Sequence, residues 1–194
     1  MIIKGGLVFD LEQGFVQRDL YTDGSLISEA SGDNTVIDAT DCYVIPGLVD
    51  VHFHGCMGQD FSNGTLEAIR TIANYEASQG ITTICPASMT LPVQQISLIC
   101  KVSAEYCNSQ LTSEADGAML CGIHLEGPFL SMEKKGAQNG DYIMRADLEI
   151  FHQWQQESNG LIKLISVAPE YPENLDFIAQ ASEEVSISLA HSTA

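Results

Sequence analysis

At 194 residues the chain can form one domain, or most of one, with a sizeable core. Eight basic against 26 acidic side chains give a formal charge of −18 and a pI near 4.3. That argues against nucleic acid and anionic membrane surfaces as partners, because both need a basic footprint. No apolar run approaches the roughly 20 residues that span a bilayer, and the start, Met1-Ile2-Ile3-Lys4-Gly5-Gly6, lacks the layout of a secretory signal. The six cysteines, at 42, 56, 85, 100, 107 and 121, include no Cys-x-x-Cys pair, and several sit inside apolar runs. Buried reduced thiols read this way, so a cytoplasmic setting is expected.

Residues 1–42 contain short apolar pieces (Ile2-Ile3, Leu7-Val8-Phe9, Phe15-Val16, Leu26-Ile27, Val36-Ile37). Turn-formers such as Gly5-Gly6, Asp23-Gly24-Ser25 and Ser31-Gly32-Asp33-Asn34 separate them. This predicts short strands joined by hairpins, a small β-sandwich portion that needs further strands to be stable.

From Tyr43 the rhythm becomes strand followed by helix. The run Tyr43 to Val51 predicts a buried strand ending in His52-Phe53-His54. Residues 65–79 fit an amphipathic helix with Thr65 as cap and Gly80 as stop. Strand-like runs follow at 81–87, 119–125, 161–168 and 185–189, with helices starting at Pro92, near 146 and at Pro172. A long loop, 129–145, carries Lys134-Lys135-Gly136-Ala137-Gln138-Asn139-Gly140. Alternating strands and helices predict an α/β fold of parallel βαβ units. No dinucleotide or Walker fingerprint is present, and ligand-type residues fall at the ends of the first, third and fifth strands. That distribution favours a partial (β/α)8 TIM-type barrel over residues 43–194, whose rim is one shared site. Five strands cannot close eight, so the chain is expected to be the amino-terminal half of a longer protein, with an open edge.

His52, His54, Glu126 and His191 supply three imidazoles and a carboxylate from three strand ends. Neutral imidazole and carboxylate suit Zn²⁺, Fe²⁺ or Mn²⁺, and an open position on such an ion activates water for hydrolysis. Each residue alone also has a plain reading: hydrogen-bonded histidines at a strand end, or a carboxylate in a surface loop. His124, two residues before Glu126 and on its face, is a candidate neighbour of the ligands or a barrel histidine. His152 reads as helix surface or packing, Cys56 as a lesser candidate ligand. Lys163 invites the carbamylated-lysine reading of binuclear hydrolases, but it stands at the wrong end of its strand.

Pro46-Gly47-Leu48-Val49-Asp50-Val51-His52-Phe53-His54-Gly55 resembles the first-strand motif of the amidohydrolase superfamily. His124-Leu125-Glu126-Gly127-Pro128-Phe129, Lys134-Lys135-Gly136-Ala137 and Ala168-Pro169-Glu170 resemble the N-acetylglucosamine-6-phosphate deacetylase branch, over about its first half. The resemblance implies metal-assisted removal of the acetyl group from N-acetylglucosamine 6-phosphate, giving glucosamine 6-phosphate and acetate. It implies one or two divalent ions, Zn or Fe, one held by Glu126 and His191 and a second by His52 and His54. It places the substrate's N-acetyl group near Ala137 and Gln138. It also implies a small amino sugar phosphate as partner, a homodimer at full length, and a general-base aspartate outside these residues. No catalytic residue is therefore assigned here, and the chain by itself is expected to be inactive. Where relatives carry Gly-Ala-His-Asn-Pro this chain has Gly136-Ala137-Gln138-Asn139-Gly140, and an amide cannot act as an acid. Two other readings stay open: an amidohydrolase of the dihydroorotase or hydantoinase type, and a non-catalytic remnant that binds metal or associates with a partner chain.

Overall fold

The computed structural model describes residues 1–33, 35–112 and 116–194; Asn34, the last residue of a predicted turn, lies outside them. The chain divides into two compact units, Met1–Gly47 and Leu48–Ala194.

In the first unit, β1 (Ile2–Asp10) and β2 (Gly14–Asp23) form a long antiparallel hairpin, and β3 (Leu26–Ser28) adds to β2. β4 (Val36–Asp38) and β5 (Tyr43–Val44) run parallel to β1 on its other side. Among the described residues these strands make one five-stranded sheet, not two packed sheets. Tyr43 and Val44 pair with Leu7 and Val8, so the predicted single strand from Tyr43 to Val51 is two strands in two units. The break falls at Pro46-Gly47, where proline has no N–H to give a ladder. The boundary is therefore five residues later than the change of rhythm suggests.

The second unit opens with β6 (Leu48–Asp50), then the two-residue pair β7 (Gly55–Cys56) and β8 (Gln59–Asp60). Thr65 caps α1 (Leu66–Ser78), accepting Ala68 N at 3.2 Å, and Gly80 at φ +84° ends the segment. β9 (Ile81–Ile84) and β10 (Ala87–Ser88) replace the predicted 81–87 strand, split at Pro86. α2 (Val93–Leu111) starts after Pro92 and runs 19 residues. β11 (Met119–Leu120) and β12 (Ile123–Leu125) replace 119–125. The split lies at Gly122, where a Cβ would come within 2.5 Å of the Lys163 side chain. α3 (Leu148–Glu157), β13 (Ile162–Val167), α4 (Pro172–Ala181) and β14 (Ser186–Leu189) complete the unit.

Every pairing among β6 and β9 to β14 is parallel: β6 pairs with β9 and β9 with β11, while β10 pairs with β12, β12 with β13 and β13 with β14. The breaks at Pro86 and Gly122 divide these pairings into two sheets, β11-β9-β6 and β10-β12-β13-β14. The fold is α/β, and strand order shows no reversal among the described residues. β6, β11 and β14 are end strands, and Leu48, Val49, Met119 and Leu189 on them are exposed.

The core of this unit joins helix and strand faces. Ile69 and Ile72 of α1, Ile96 and Ile99 of α2, Phe151 and Trp154 of α3 and Phe177 of α4 are buried with Ile84, Leu120, Ile123, Leu125 and Ile165. Each such side chain contributes about 1.5–3 kcal/mol by leaving water. Phe129 stacks on Trp154 (centroids 6.0 Å) and meets Phe177 edge-on (5.2 Å). Asn174, fully buried on α4, ties three connecting segments together. Its Nδ2 donates to Phe129 O (3.2 Å) and Ala168 O (2.7 Å), and its Oδ1 accepts Ala146 N (2.8 Å). The Asn174→Ala variant orphans these groups and is expected to lose about 1–3 kcal/mol of stability or more. Urea unfolding at unchanged slope measures it, and a loss near zero would mean that water replaces the amide.

Candidate metal centre

All four ligand-type residues predicted from sequence lie within the second unit, and the backbone brings them to one carboxylate. Cys85 N donates to Asp50 O and Ala87 N to Phe53 O, both at 2.8 Å, so the residues after β6 run beside the β9–β10 segment. Asp50 Oδ1 accepts His52 N at 3.0 Å and turns the chain. His52 and His54 lie just beyond the strand, with ring centroids 5.4 Å apart. Glu126 follows β12, its side chain 12% exposed. Next to it Gly127 adopts φ +108°, and a Cβ there would come within 2.1 Å of Thr90 Oγ1. Only glycine lets the backbone pass that hydroxyl, which donates to Glu126 O at 3.2 Å. His191 follows β14 at φ +49° and accepts Ser131 N on its carbonyl at 3.1 Å.

Three imidazole Nε2 atoms point at the Glu126 carboxylate. His54 Nε2 is 3.0 Å from Oε2, His191 Nε2 is 3.0 Å from Oε1, and His52 Nε2 is 4.0 Å from Oε1. One ligand atom each from His52, His54 and Glu126 lies within 4.8 Å of the others. The far nitrogens fix the protons. His54 Nδ1 faces Ala87 O at 3.1 Å and His191 Nδ1 faces Lys134 O at 2.9 Å. A carbonyl can only accept, so each Nδ1 carries the hydrogen and each Nε2 turns a lone pair towards the carboxylate. Lone pair against lone pair at 3.0 Å repels. Positive charge between them, either two further protons or a divalent cation, relieves it. The donor set of imidazole nitrogens and one carboxylate fits a borderline divalent metal on that ground.

His52 is held differently. Its Nδ1 lies 3.0 Å from Nδ1 of His124, whose Nε2 lies 2.9 Å from Ser166 Oγ. His124 is buried, and desolvation first, then the neighbouring His52, pull its pKa down to about 4. A neutral His124 that accepts from His52 Nδ1–H and donates to Ser166 leaves the His52 Nε2 lone pair free.

Gln138, a predicted substrate contact, is buried and turned inwards. Its Oε1 accepts Thr90 N at 2.7 Å and its Nε2 donates to Glu126 Oε2 at 3.1 Å. Ala137 beside it is exposed. Lys163 Nζ donates to Gly160 O at 2.7 Å near the start of β13 and is no ligand. His152 pairs with Glu184 at 3.2 Å on the surface. Cys56 is engaged with Glu76; burial, then the Glu76 charge, push its thiol up. Sequence reasoning misses Ser166 and Thr90. Ser166, a polar residue inside the apolar run 161–168, carries a signal; Thr90 carries none.

The family model described as "Amidohydrolase family" matches residues 43–191. The chain belongs to the amidohydrolase family. Within that family it is similar to N-acetylglucosamine-6-phosphate deacetylase of Bacillus subtilis, 34% identical over 155 residues, which are 79% of this chain and 39% of the relative. N-acetyl-D-glucosamine-6-phosphate deacetylase of Mycobacterium smegmatis shares the fold over 100% of this chain and 55% of its own (TM-score 0.84, 23% identity). A variant of that enzyme, in complex with N-acetyl-D-glucosamine-6-phosphate, aligns over 100% of this chain and 50% of its own (TM-score 0.82, 22% identity). The chain spans about two fifths of the length of the curated relatives it matches.

The amidohydrolase site makes stability depend on pH through His124. The unfolded chain takes up a proton there below its ordinary value of 6.5, the folded chain only near 4. Stability is therefore lost as pH falls from 6.5 to 4, by up to one proton's slope. Urea unfolding in chelator across that window is expected to show a shallower slope for His124→Gln than for the unsubstituted protein. Equal slopes would remove His124 as the cause.

Proposed function

We propose that these residues form the metal-binding part of an N-acetylglucosamine-6-phosphate deacetylase, a hydrolase that releases acetate from N-acetylglucosamine 6-phosphate and leaves glucosamine 6-phosphate. The observation that carries this is the convergence of three imidazole Nε2 atoms on the Glu126 carboxylate, with Nδ1 of His54 and His191 anchored on carbonyls. The names of the relatives support the substrate, as does the sugar phosphate bound in the mycobacterial variant.

Glu126, His191, His52 and His54 would hold one or two divalent ions, zinc or iron. Such an ion, when bound, would polarise the acetyl carbonyl and lower the pKa of a water beside it. The protein's own part is to keep each Nε2 lone pair available, through Ala87 O, Lys134 O and His124, and to orient the carboxylate. The exposed Ala137 lies next to Gln138 and would border the N-acetyl group. Lys163, bonded to Gly160 O, speaks against the lysine-bridged dihydroorotase type.

In this reading the first unit is part of a small β-sandwich, and the second contributes five strands of a (β/α)8 barrel. Parallel pairing between the successive strand regions β6, β9–β10, β11–β12, β13 and β14, without reversal, supports a barrel over a doubly wound sheet, whose order reverses. Six free thiols support a reducing, cytoplasmic setting, and a homodimer is part of the same proposal.

The test is acetate release from N-acetylglucosamine 6-phosphate by the native protein bearing these residues, loaded with Zn²⁺ or Fe²⁺. Activity is expected to vanish with chelator and to fall more than about 100-fold in Glu126→Ala, beyond the range of outer-shell substitutions. Acetate release that survives chelation, or none from this substrate with metal bound, would overturn the reading.

A further inference from the structure

The Gln138 amide is fixed at both ends. Thr90 N is a donor, so the oxygen of the amide must face it, at 2.7 Å. The NH2 group is thereby aimed at Glu126 Oε2, at 3.1 Å, with its other hydrogen towards Met89 Sδ at 4.0 Å. The side chain is 3% exposed, so it has no free polar atom to offer a ligand. Its backbone is equally tied: Gln138 N donates to Lys135 O (3.0 Å), and Gln138 O accepts Lys135 Nζ (3.2 Å). Thr90 also holds the other end of Glu126, through Oγ1 to Glu126 O at 3.2 Å. One threonine thus fixes both the backbone of Glu126 and the glutamine that grips its carboxylate.

From this we infer that Gln138 is a positioning residue for the metal centre: it sets the plane of the Glu126 carboxylate rather than touching substrate. An ionised carboxylate has about four lone-pair directions, and the outer bonds it accepts decide which remain for a cation. Gln138 takes one on Oε2. The remaining directions of that carboxylate then point at His54, His52 and His191, where the imidazole nitrogens already converge. The role needs one acceptor for Thr90 N and one donor for Oε2, at a fixed span. Glutamine meets both, and so does a neutral histidine. Methionine meets neither, and asparagine is one methylene short of reaching both.

The inference rests on the metal-centre reading, and zinc affinity separates the two. Zn²⁺ is titrated into the protein against a chromophoric chelator, with the zinc-free melting temperature taken alongside. The unsubstituted protein is expected to bind Zn²⁺ and Glu126→Ala to lose it. Gln138→Met is expected to bind about 10–100-fold more weakly, and Gln138→His to recover most of that loss. A merely structural role would lower the melting temperature without a change in zinc affinity that histidine rescues. If Gln138→Met does not fold, Gln138→Asn takes its place and is expected to weaken binding in the same range. Binding by a folded Gln138→Met or Gln138→Asn within about twofold of the unsubstituted protein would overturn the inference and leave the metal centre standing. No Zn²⁺ binding by the unsubstituted protein would overturn both.

Discussion

The second unit depends on an opposition that the protein alone does not relieve: a carboxylate facing imidazole lone pairs at 3.0 Å. Glu126 is mostly buried, and His54 and His191 present Nε2 to its two oxygens. The Ala87 and Lys134 carbonyls accept hydrogen bonds from their Nδ1–H groups. Carbonyls of the main chain do not move without their strands and loops, so the tautomers are properties of the fold. Positive charge is the complement of this arrangement. Its source, protons or a metal ion, is set by solution conditions, while its place is set by four segments of backbone.

The acidity of the whole chain acts in the same direction. A formal charge of −18 raises the local concentration of cations, while its field fades over about 8 Å at physiological salt. That field does not discriminate among cations of equal charge. A donor set rich in imidazole nitrogen would do so, since hard oxygen-seeking cations such as Mg²⁺ and Ca²⁺ do not favour it.

Much of this is legible in the sequence because the signals are local. An apolar run ending in His52-Phe53-His54, and Glu126 and His191 just past the ends of two later strands, mark the candidate ligands without any tertiary knowledge. Helix limits come within a few residues, since Thr65, Gly80, Pro92 and Pro172 act on their own turns. The misreadings are of another kind. Tyr43 and Val44 look like the start of the strand that follows, yet they pair with β1, some 36 residues earlier by the register Leu7↔Tyr43. Periodicity cannot report which sheet a strand joins. Gln138 reads as facing substrate because the family resemblance of its loop implies that. Its direction is decided by Thr90 N, 48 residues away, and by the shape of Gly127, neither of which has a sequence signature.

The loop from Phe129 to Arg145 shows how packing far from the candidate ligands reaches them. Asn174 grips Phe129 O at one end of the loop and Ala146 N just past the other, and Met144 N returns to Pro128 O at 3.0 Å. Between these clamps the loop delivers three separate contacts to the centre: Ser131 N to His191 O, Lys134 O to His191 Nδ1, and Gln138 Nε2 to Glu126 Oε2. A buried amide on α4 therefore holds a segment that sets the tautomer of His191 and grips the carboxylate of Glu126. The loop can hold these contacts rigidly because it is closed by hydrogen bonds at its base and filled by Phe129 against Trp154 and Phe177. Loss of that closure would free His191 and Glu126 together, since both take their orientation from the same seventeen residues of chain or their immediate neighbours.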